Sequence, residues 1–389
     1  MSDLTSTKTP SEAPVVRRWQ SSTVRTRRRR RSPHLNTSYR DDLSLFVYSS
    51  SRKAGMAALV ALVLLFPFTV DNYWLNVANF CAIAVVGVLG LQIVTGMTGQ
   101  LSLGHAAFLA VGGFVAAGLY LHLGLQLWLA APAAMLAGGI TGALAGLPAL
   151  RIRGFYLGIT TLAVQYVVIA AGLKYQSYIQ SSRGTGGSLT VPAPDLGLFS
   201  ITSVFQWYFF LVVIVAVATL TVTNLRRSAL GRSFLAVRQG ELAAEALGIN
   251  VARVKIIAFA LSGVFGGLAG SLSTYYYRSV SIENFDLLLS VTYLAMIIIG
   301  GLGSIQGAIY GAVFVTAAPL LVGRIIELLG LTTSLGGALR AIELGVFALT
   351  MMAFLLFEPD GIAGAWRRLK AYFARWPYKY TDMTTTAKR

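Results

Sequence analysis

The feature that most constrains the fold of this 389-residue chain is a set of long stretches without charged side chains. Asp, Glu, Lys and Arg are all absent from residues 72–150, and further charge-free runs cover 154–173, 196–225, 256–277 and 287–323. A helix that crosses the hydrocarbon core of a membrane needs about 20 consecutive apolar residues. These runs therefore predict many membrane spans and an all-α polytopic membrane protein.

The composition supports this prediction. Hydrophobic residues make up 55% of the chain and charged residues 12%, whereas soluble domains carry about 25% charged residues. These values exclude a disordered chain and argue against a single soluble domain. The lone cysteine, Cys81, excludes an internal disulfide and a cysteine metal cluster. No second ligand lies at a metal-binding spacing from His105, so we expect neither a metal nor a cofactor.

Both ends of the chain are basic. Residues 1–53 contain 12 basic and 4 acidic side chains, which predicts a disordered cytoplasmic tail that lies on anionic lipid. A run of arginines beside a first span is explained by membrane topology, so we expect no nucleic-acid partner. Residues 54–357 are predicted to form the membrane domain, and residues 358–389 a basic cytoplasmic C-terminal tail.

The charge-free windows predict about ten spans with both termini in the cytoplasm. With alternating spans, 27 basic residues fall inside and 5 outside, in agreement with the positive-inside rule. The glycine-rich segments 95–105 and 300–307 resemble each other weakly and are predicted to be broken or re-entrant. The predicted spans cover about 55–71, 76–95, 100–121, 127–149, 154–173, 205–223, 255–274, 286–302, 304–323 and 339–357.

Two absences concern the source of energy. A nucleotide-binding P-loop needs a Gly-Lys-Ser/Thr sequence, and none of the seven lysines follows a glycine. Ion-coupled carriers usually place an acidic residue within a span, yet no Asp or Glu occupies a span centre. We therefore expect that the chain is not an ATPase and that any energy comes from another subunit.

The segment 90–108 concentrates polar residues and glycines inside an apolar block. Glycines let the backbone leave a helix and turn N–H groups toward a ligand, and polar side chains at membrane depth need partners. The segment is thus a candidate path for a polar or zwitterionic solute. Close helix packing around a hydrogen-bonded histidine is the alternative that composition leaves open. The candidate path residues are Thr98, Gly99, Gln100, Ser102 and His105.

The two longest segments between spans are candidates for contacts with partners. In the inward segment 224–255, Gly240 separates two short helical stretches, and Gly248 is a typical helix end. Small apolar residues on such a helix fit a groove in a partner, and a solvated helix on the membrane surface is the alternative. The outward segment 174–204 is rich in Gly, Ser, Thr and Pro, which suits a shaped docking or gating loop. The candidate contact residues are Arg238, Glu241, Ala243, Ala244, Glu245 and Gly248 inside, and Thr185, Gly186 and Gly187 outside.

Residues from about 50 to 365 resemble the permease subunits of branched-chain amino-acid ABC importers of the LivM-like type. Two positions depart from that family, Gln239–Gly240 in the inward segment and Ser188–Thr190 after the outward glycines. The motifs that carry the resemblance are, in order, the segment 90–108, Arg151-x-Arg153-Gly154-x-Tyr156, Thr185-Gly186-Gly187, the segment 231–249, Gly300-Gly301-x-Gly303-Ser304-x-x-Gly307 and Pro359-Asp360-Gly361.

The resemblance implies a translocation subunit of an ATP-driven importer in the cell (plasma or inner) membrane. Its expected partners are a second homologous permease, two ATPase subunits that dock on the inward segment, and an extracellular or periplasmic solute-binding protein. The implied solutes are branched-chain or other apolar amino acids, with urea or short amides as the alternative. A stand-alone channel or secondary carrier is the alternative from another class, and uptake without any ATPase would distinguish it.

Overall fold

The computed structural model describes residues 50–152, 154–183, 188–194, 201–328 and 361–375, with a few isolated residues between 341 and 356. The chain divides into two compact units, Met1–Ala61 and Leu62–Arg389. The described part of the first unit is one stretch of helix, and the second unit holds the remaining described elements. The basic tail before residue 50, Thr185–Gly187 and most of the predicted span 339–357 lie outside the described residues.

Helices dominate the described residues. The short non-α elements are a π-helical turn at Gln92–Met97, 3-10 turns at Pro148–Leu150 and Ile282–Phe285, and strands β1 (Leu189–Thr190) and β2 (Ser279–Val280). The helices are α1 (Ser50–Thr69), α2 (Asn72–Leu91), α3 (His105–Leu123), α4 (Leu127–Gly146), α5 (Phe155–Arg183), α6 (Val204–Arg227), α7 (Ala229–Gln239), α8 (Glu241–Ala246), α9 (Val251–Tyr277), α10 (Leu287–Gly300), α11 (Ile305–Leu328) and α12 (Gly361–Arg375).

The described helices agree with an all-α polytopic membrane protein. Seven of them are long and apolar enough to cross a membrane, and the apolar stretches Val60–Thr69 and Leu287–Gly300 are shorter. Each of these nine coincides with a predicted span. The total of ten spans and the cytoplasmic position of both termini stay predictions, because the tenth segment lies mostly outside the described residues.

Helix α9 lies at the centre of the packing and contacts α2, α3 and α4. Glycines with four-residue spacing bring α4 and α9 together: a Cβ at Gly138 or Gly142 would overlap the α9 backbone, and one at Gly263 or Gly267 would overlap α4. Helices in membranes associate through such small residues because lipid provides no hydrophobic driving force between them. The glycine content thus sets how closely the central helices approach.

Two hydrophobic stretches are interrupted by glycine-containing loops, as the sequence predicts. The α2 helix continues into the π-helical turn Gln92–Met97, and residues 98–104 form a loop before α3. A second interruption separates α10 from α11, where Gly301 and Gly303 have positive φ. The first residue of α12, Gly361, packs directly on this second interruption.

The strand pair lies at the opposite end of α9 from the inward segment. Leu189 pairs with Val280 and Thr190 with Ser279 in an antiparallel ladder, and the Val191 N–H donates to the Arg278 carbonyl, 2.9 Å away. The charge count predicts that this end faces outward. The outward segment is therefore joined by backbone hydrogen bonds to the residues that follow α9.

Candidate functional site

The first glycine-rich segment has an irregular backbone. Its π-helical turn Gln92–Met97 is fully buried, and Gly99 follows with φ +72°. Thr98 donates from its hydroxyl to the Val94 carbonyl, 2.6 Å away. Short π-helical turns inside α-helices occur often at functional sites, because the extra residue redirects side chains and leaves backbone groups unpaired.

Several side chains in this turn and in the loop after it have buried polar atoms without a hydrogen-bond partner among the described residues. They form what we call the polar cluster, whose atoms are the Gln92 amide oxygen and nitrogen, Thr95 Oγ1, Gln100 Oε1 and Ser102 Oγ. Each unpaired buried polar group costs about 1–3 kcal/mol. Their concentration within eleven residues of the sequence marks this segment as suited to contact a polar solute or water.

His105 belongs to the packing of the helices. Its ring is fully buried, and Nε2 lies 2.9 Å from the Gly87 carbonyl oxygen. Because that oxygen only accepts, Nε2 carries the hydrogen, and Nδ1 faces the Ser262 hydroxyl at 3.5 Å. Phe108 and Tyr293 contact the ring. The structure therefore places His105 in a hydrogen-bonded, aromatic environment, which is the alternative that the composition left open.

The backbone N–H groups at the start of α3 also have partners within the chain. The Ala106 N–H donates to Ser290 Oγ and the Leu103 N–H to Thr161 Oγ1, both over 2.9 Å. Ser290 in turn donates to the Gln165 amide oxygen. These side-chain bonds hold the two N–H groups within the helix bundle. A contact of this segment with a solute stays a prediction.

The inward segment folds into two helices separated at Gly240, as predicted. Ser228 caps α7 by accepting from the Gly231 N–H, and Gly248 has φ +79° at the end of α8. Ala244 is buried within the chain at 1% exposure, so its methyl group is not part of the exposed face. Ala243, Glu245 and Gly248 are exposed, together with Leu242 at 73% and Leu247 at 78%.

Arg238 connects the inward segment to the first glycine-rich segment. Its Nη1 donates to the Gly96 carbonyl over 2.5 Å, across 142 positions of sequence. The guanidinium fits because Gly99 and Gly303 lack side chains: a Cβ on Gly303 would collide with it. Both interrupted helices therefore meet at one arginine. The predicted contact of Arg238 with a partner stays a prediction.

Glu241 forms an ion pair with a lysine that sequence analysis did not single out. Glu241 Oε1 lies 2.6 Å from Lys255 Nζ, and the lysine is 2% exposed. Lys255 also donates to the Ala149 carbonyl over 3.0 Å. The Glu241 carboxylate thus joins α8 to the start of α9, and its predicted contact with a partner subunit stays a prediction.

A cavity of about 220 Å³ lies where these contacts converge. Its walls come from the first glycine-rich segment, the start of α5, the inward segment and α9. Three of the candidate path residues and two of the candidate inward contact residues line it together, so the structure brings the two predicted sites to one place. The lining residues are Thr98, Gly99, Gln100, Gly154, Leu157, Val237, Arg238, Gly240, Glu241 and Lys255.

Sequence reasoning missed the roles of Lys255 and Gln92. The available signal for Lys255 was a cation at the edge of a long apolar helix, since an ionisable residue there marks a functional position. Gln92 carries a polar amide in a run that is otherwise apolar, which is the same kind of signal. Neither its position in the π-helical turn nor its burial follows from local sequence.

A bundle of apolar helices with interrupted spans and a buried polar cluster defines a multi-pass membrane transport protein. The sequence model described as "Branched-chain amino acid transport system / permease component" matches residues 73–355. The chain belongs to this family of permease subunits and is a multi-pass protein of the cell membrane.

Relatives with curated descriptions extend this result. The chain is 31% identical to the high-affinity branched-chain amino acid transport system permease protein LivM of Escherichia coli, over 69% of this chain and 68% of the relative. It is 25% identical to a probable branched-chain amino acid transport permease protein LivH of Methanocaldococcus jannaschii, over 74% and 90%. It is 26% identical to the ribose import permease protein RbsC of Haemophilus influenzae, over 64% and 76%. No solved structure gives a significant match.

Proposed function

We propose that this chain is the membrane translocation subunit of an importer for branched-chain or other apolar amino acids. The observation that carries the proposal is the family match over residues 73–355, together with the identity to LivM over about two thirds of both chains. The assembly contains a second homologous permease, two ATPase subunits that hydrolyse ATP, and an extracellular solute-binding protein. The similarity to both LivM-type and LivH-type permeases supports a paired permease.

The inward segment is the proposed docking site for an ATPase subunit. Its exposed face carries Leu242, Ala243, Glu245 and Leu247, a small apolar and charged surface that suits a groove in a partner. The opposite face is tied inward by Arg238 and by the Glu241–Lys255 pair. A displacement of the docked helices would therefore reach the first glycine-rich segment directly, which suits a coupling role.

The polar cluster is proposed to line or support the solute path. It is the part of the described membrane region where several buried polar atoms without partners lie within a few residues of each other. Outside, the segment 174–204 is proposed to dock the binding protein or to close the outer gate. The hydrogen bonds of β1 with β2 support that proposal, because they give part of the segment a fixed shape.

Transport by the purified assembly in liposomes tests the proposal. We expect ATP-dependent uptake of radiolabelled L-leucine, L-isoleucine and L-valine when the binding protein is present, and only background uptake without ATP or without the ATPase subunits. D-Ribose and urea serve as competing solutes, since a ribose permease is among the relatives. Uptake of ribose or urea in preference to leucine would contradict the substrate class. Leucine uptake without any ATPase would contradict the class of transporter.

A further inference from the structure

We propose that the cavity between the inward segment and the first glycine-rich segment is a binding site for a free amino acid, occupied before release into the cytoplasm. This inference rests on the proposed amino-acid function. It specifies a place and a mode of recognition: the solute carboxylate binds Arg238 and Lys255, and the solute ammonium binds Glu241 and Gln100.

The charges that line the cavity fit a zwitterion. An α-amino acid carries its carboxylate and its ammonium on the same carbon, so a site must present a cationic donor beside an anionic acceptor. Glu241 and Lys255 meet this requirement, with 2.6 Å between their charged atoms. Arg238 adds a second cation, because this exposed residue also lines the cavity. The described lining residues thus carry two positive charges and one negative charge.

The donors and acceptors have capacity for a ligand. A lysine ammonium has three N–H donors, and Lys255 uses two of them on Glu241 and Ala149. An ionised carboxylate accepts about four hydrogen bonds, so Glu241 can accept from a ligand ammonium in addition to its partners within the chain. Gln100 provides an independent indication, because its Oε1 atom is buried beside the cavity and has no partner among the described residues.

The size and the apolar wall of the cavity suit a small aliphatic solute. Its volume of about 220 Å³ exceeds the roughly 150 Å³ of a cavity that binds benzene. It is smaller than the pockets of about 300–1,000 Å³ that hold drug-sized ligands. Leu157 and Val237 contribute buried aliphatic side chains to the wall. A branched aliphatic side chain can contact them while the charged groups of the solute face the ions.

A purely structural role explains the buried ion pair poorly. Removing two charges from water is costly, and well-packed apolar residues often replace a buried pair without loss of stability. Lys255 is nevertheless almost completely buried. Its partner Glu241 lies in the segment proposed to dock the ATPase. Movement of that segment would therefore separate the two charges and release the solute.

Equilibrium binding to the membrane complex tests the inference. The complex of permeases and ATPases is purified in lipid nanodiscs without binding protein and without ATP, and L-leucine binding is measured by scintillation proximity. L-Leucinamide lacks the carboxylate and 4-methylpentanoate lacks the ammonium, so each should bind about tenfold to hundredfold more weakly than leucine. Inorganic phosphate should not compete at concentrations that leave the complex folded.

Two variants separate recognition from folding. Lys255→Gln should weaken leucine binding at least tenfold and leave leucinamide binding unchanged, whereas Glu241→Gln should weaken leucine and leave 4-methylpentanoate unchanged. The matched control Arg253→Gln removes an exposed charge from the helix that carries Lys255 and should bind leucine normally. A variant that loses its structure would bind leucine, leucinamide and 4-methylpentanoate more weakly together, and its size-exclusion profile would change. If both single variants misfold, the analogue series on the unmodified complex decides alone.

The outcomes distinguish this inference from the proposed function. ATP-dependent leucine transport without saturable leucine binding in the nanodisc complex would overturn the inference and leave the function standing. Equal affinities for leucine and both analogues would also overturn it, and so would phosphate competition as strong as that of leucine. If the assembly transports no amino acid at all, the proposed function fails in the liposome assay, whatever the binding result.

Discussion

At the scale of single residues, Gln92 offers the most direct test of the polar cluster. Its amide is fully buried, and neither end has a partner among the described residues. Gln92→Leu should therefore raise the melting temperature of the permease, because it removes an unpaired group that costs about 1–3 kcal/mol. The same change should lower leucine uptake severalfold if the amide contacts the solute path.

A matched control for Gln92 is Thr219→Val on α6. The Thr219 hydroxyl is also buried and has no hydrogen-bond partner in the part of the chain that the structure describes, but it is distant in sequence from the glycine-rich segments. This variant should be stabilised and should transport normally. Normal uptake by Gln92→Leu, at equal amounts of protein in the membrane, would show that the polar cluster serves packing only.

The sequence predicted which residue types matter better than it predicted what they contact. Gln100 and Arg238 were assigned to two different tasks, a solute path and an ATPase contact, yet both line one cavity. That meeting depends on tertiary packing, because Arg238 reaches a carbonyl 142 positions away. No pattern in the local sequence predicts a contact between residues so far apart in the chain. The unpaired amide atoms of Gln92 and Gln100 likewise result from the burial of these side chains in the fold. A polar residue in an apolar stretch of sequence only suggests such burial.

At the scale of elements, α8 presents an exposed apolar face that should bind the ATPase. Leu242 and Leu247 are among the most exposed large hydrophobic residues that the structure describes. Changing both to Ser should reduce ATPase co-purification at least tenfold, since each buried leucine contributes about 1.5–3 kcal/mol. Leu230→Ser, which alters an exposed leucine on α7, serves as the control. Unchanged co-purification would leave α8 as a solvated helix on the membrane surface.

The burial of Ala244 decides which variant of α8 is informative. A bulky residue such as Ala244→Trp would overfill a contact inside the permease, at a cost of about 1–3 kcal/mol. A loss of ATPase binding would then report damage to the inward segment and not a blocked interface. The sequence indicated a small-residue helix there, but it could not say which side faces inward.

Element positions were largely predictable because apolar length is a strong signal. The predicted spans overlap the described long helices, for example 255–274 against Val251–Tyr277. The sequence predicted an interruption near Gln92–Met97, but it did not predict a π-helical turn there. Whether a glycine-containing helix end becomes π-helical depends on how its neighbours pack. In this chain Phe265 packs against Gly90 just before the turn, and Arg238 donates to the Gly96 carbonyl within it.

At the scale of the whole molecule, cysteine labelling can test how the protein is oriented in the membrane. Its one cysteine, Cys81, is buried, so new cysteines can be labelled against a low background. A cysteine at Leu242 should react with a membrane-impermeant maleimide only from the cytoplasmic side, and one at Ser188 only from outside. The Ser188→Cys variant should also cross-link to the binding protein. Reaction of both positions from the same side would contradict the topology.

The central helix α9 has a consequence for how the two faces of the membrane communicate. It is 27 residues long, about 40 Å at 1.5 Å per residue, and glycine contacts with α4 hold it closely along its length. Its outer end continues into the strand that pairs with the outward segment, and Lys255 near its inner end holds the inward segment. In the proposed assembly, the binding protein and the ATPase would each contact a segment that is joined to one end of α9. A tilt of this single helix would therefore move both segments together, without a relay of side chains between them.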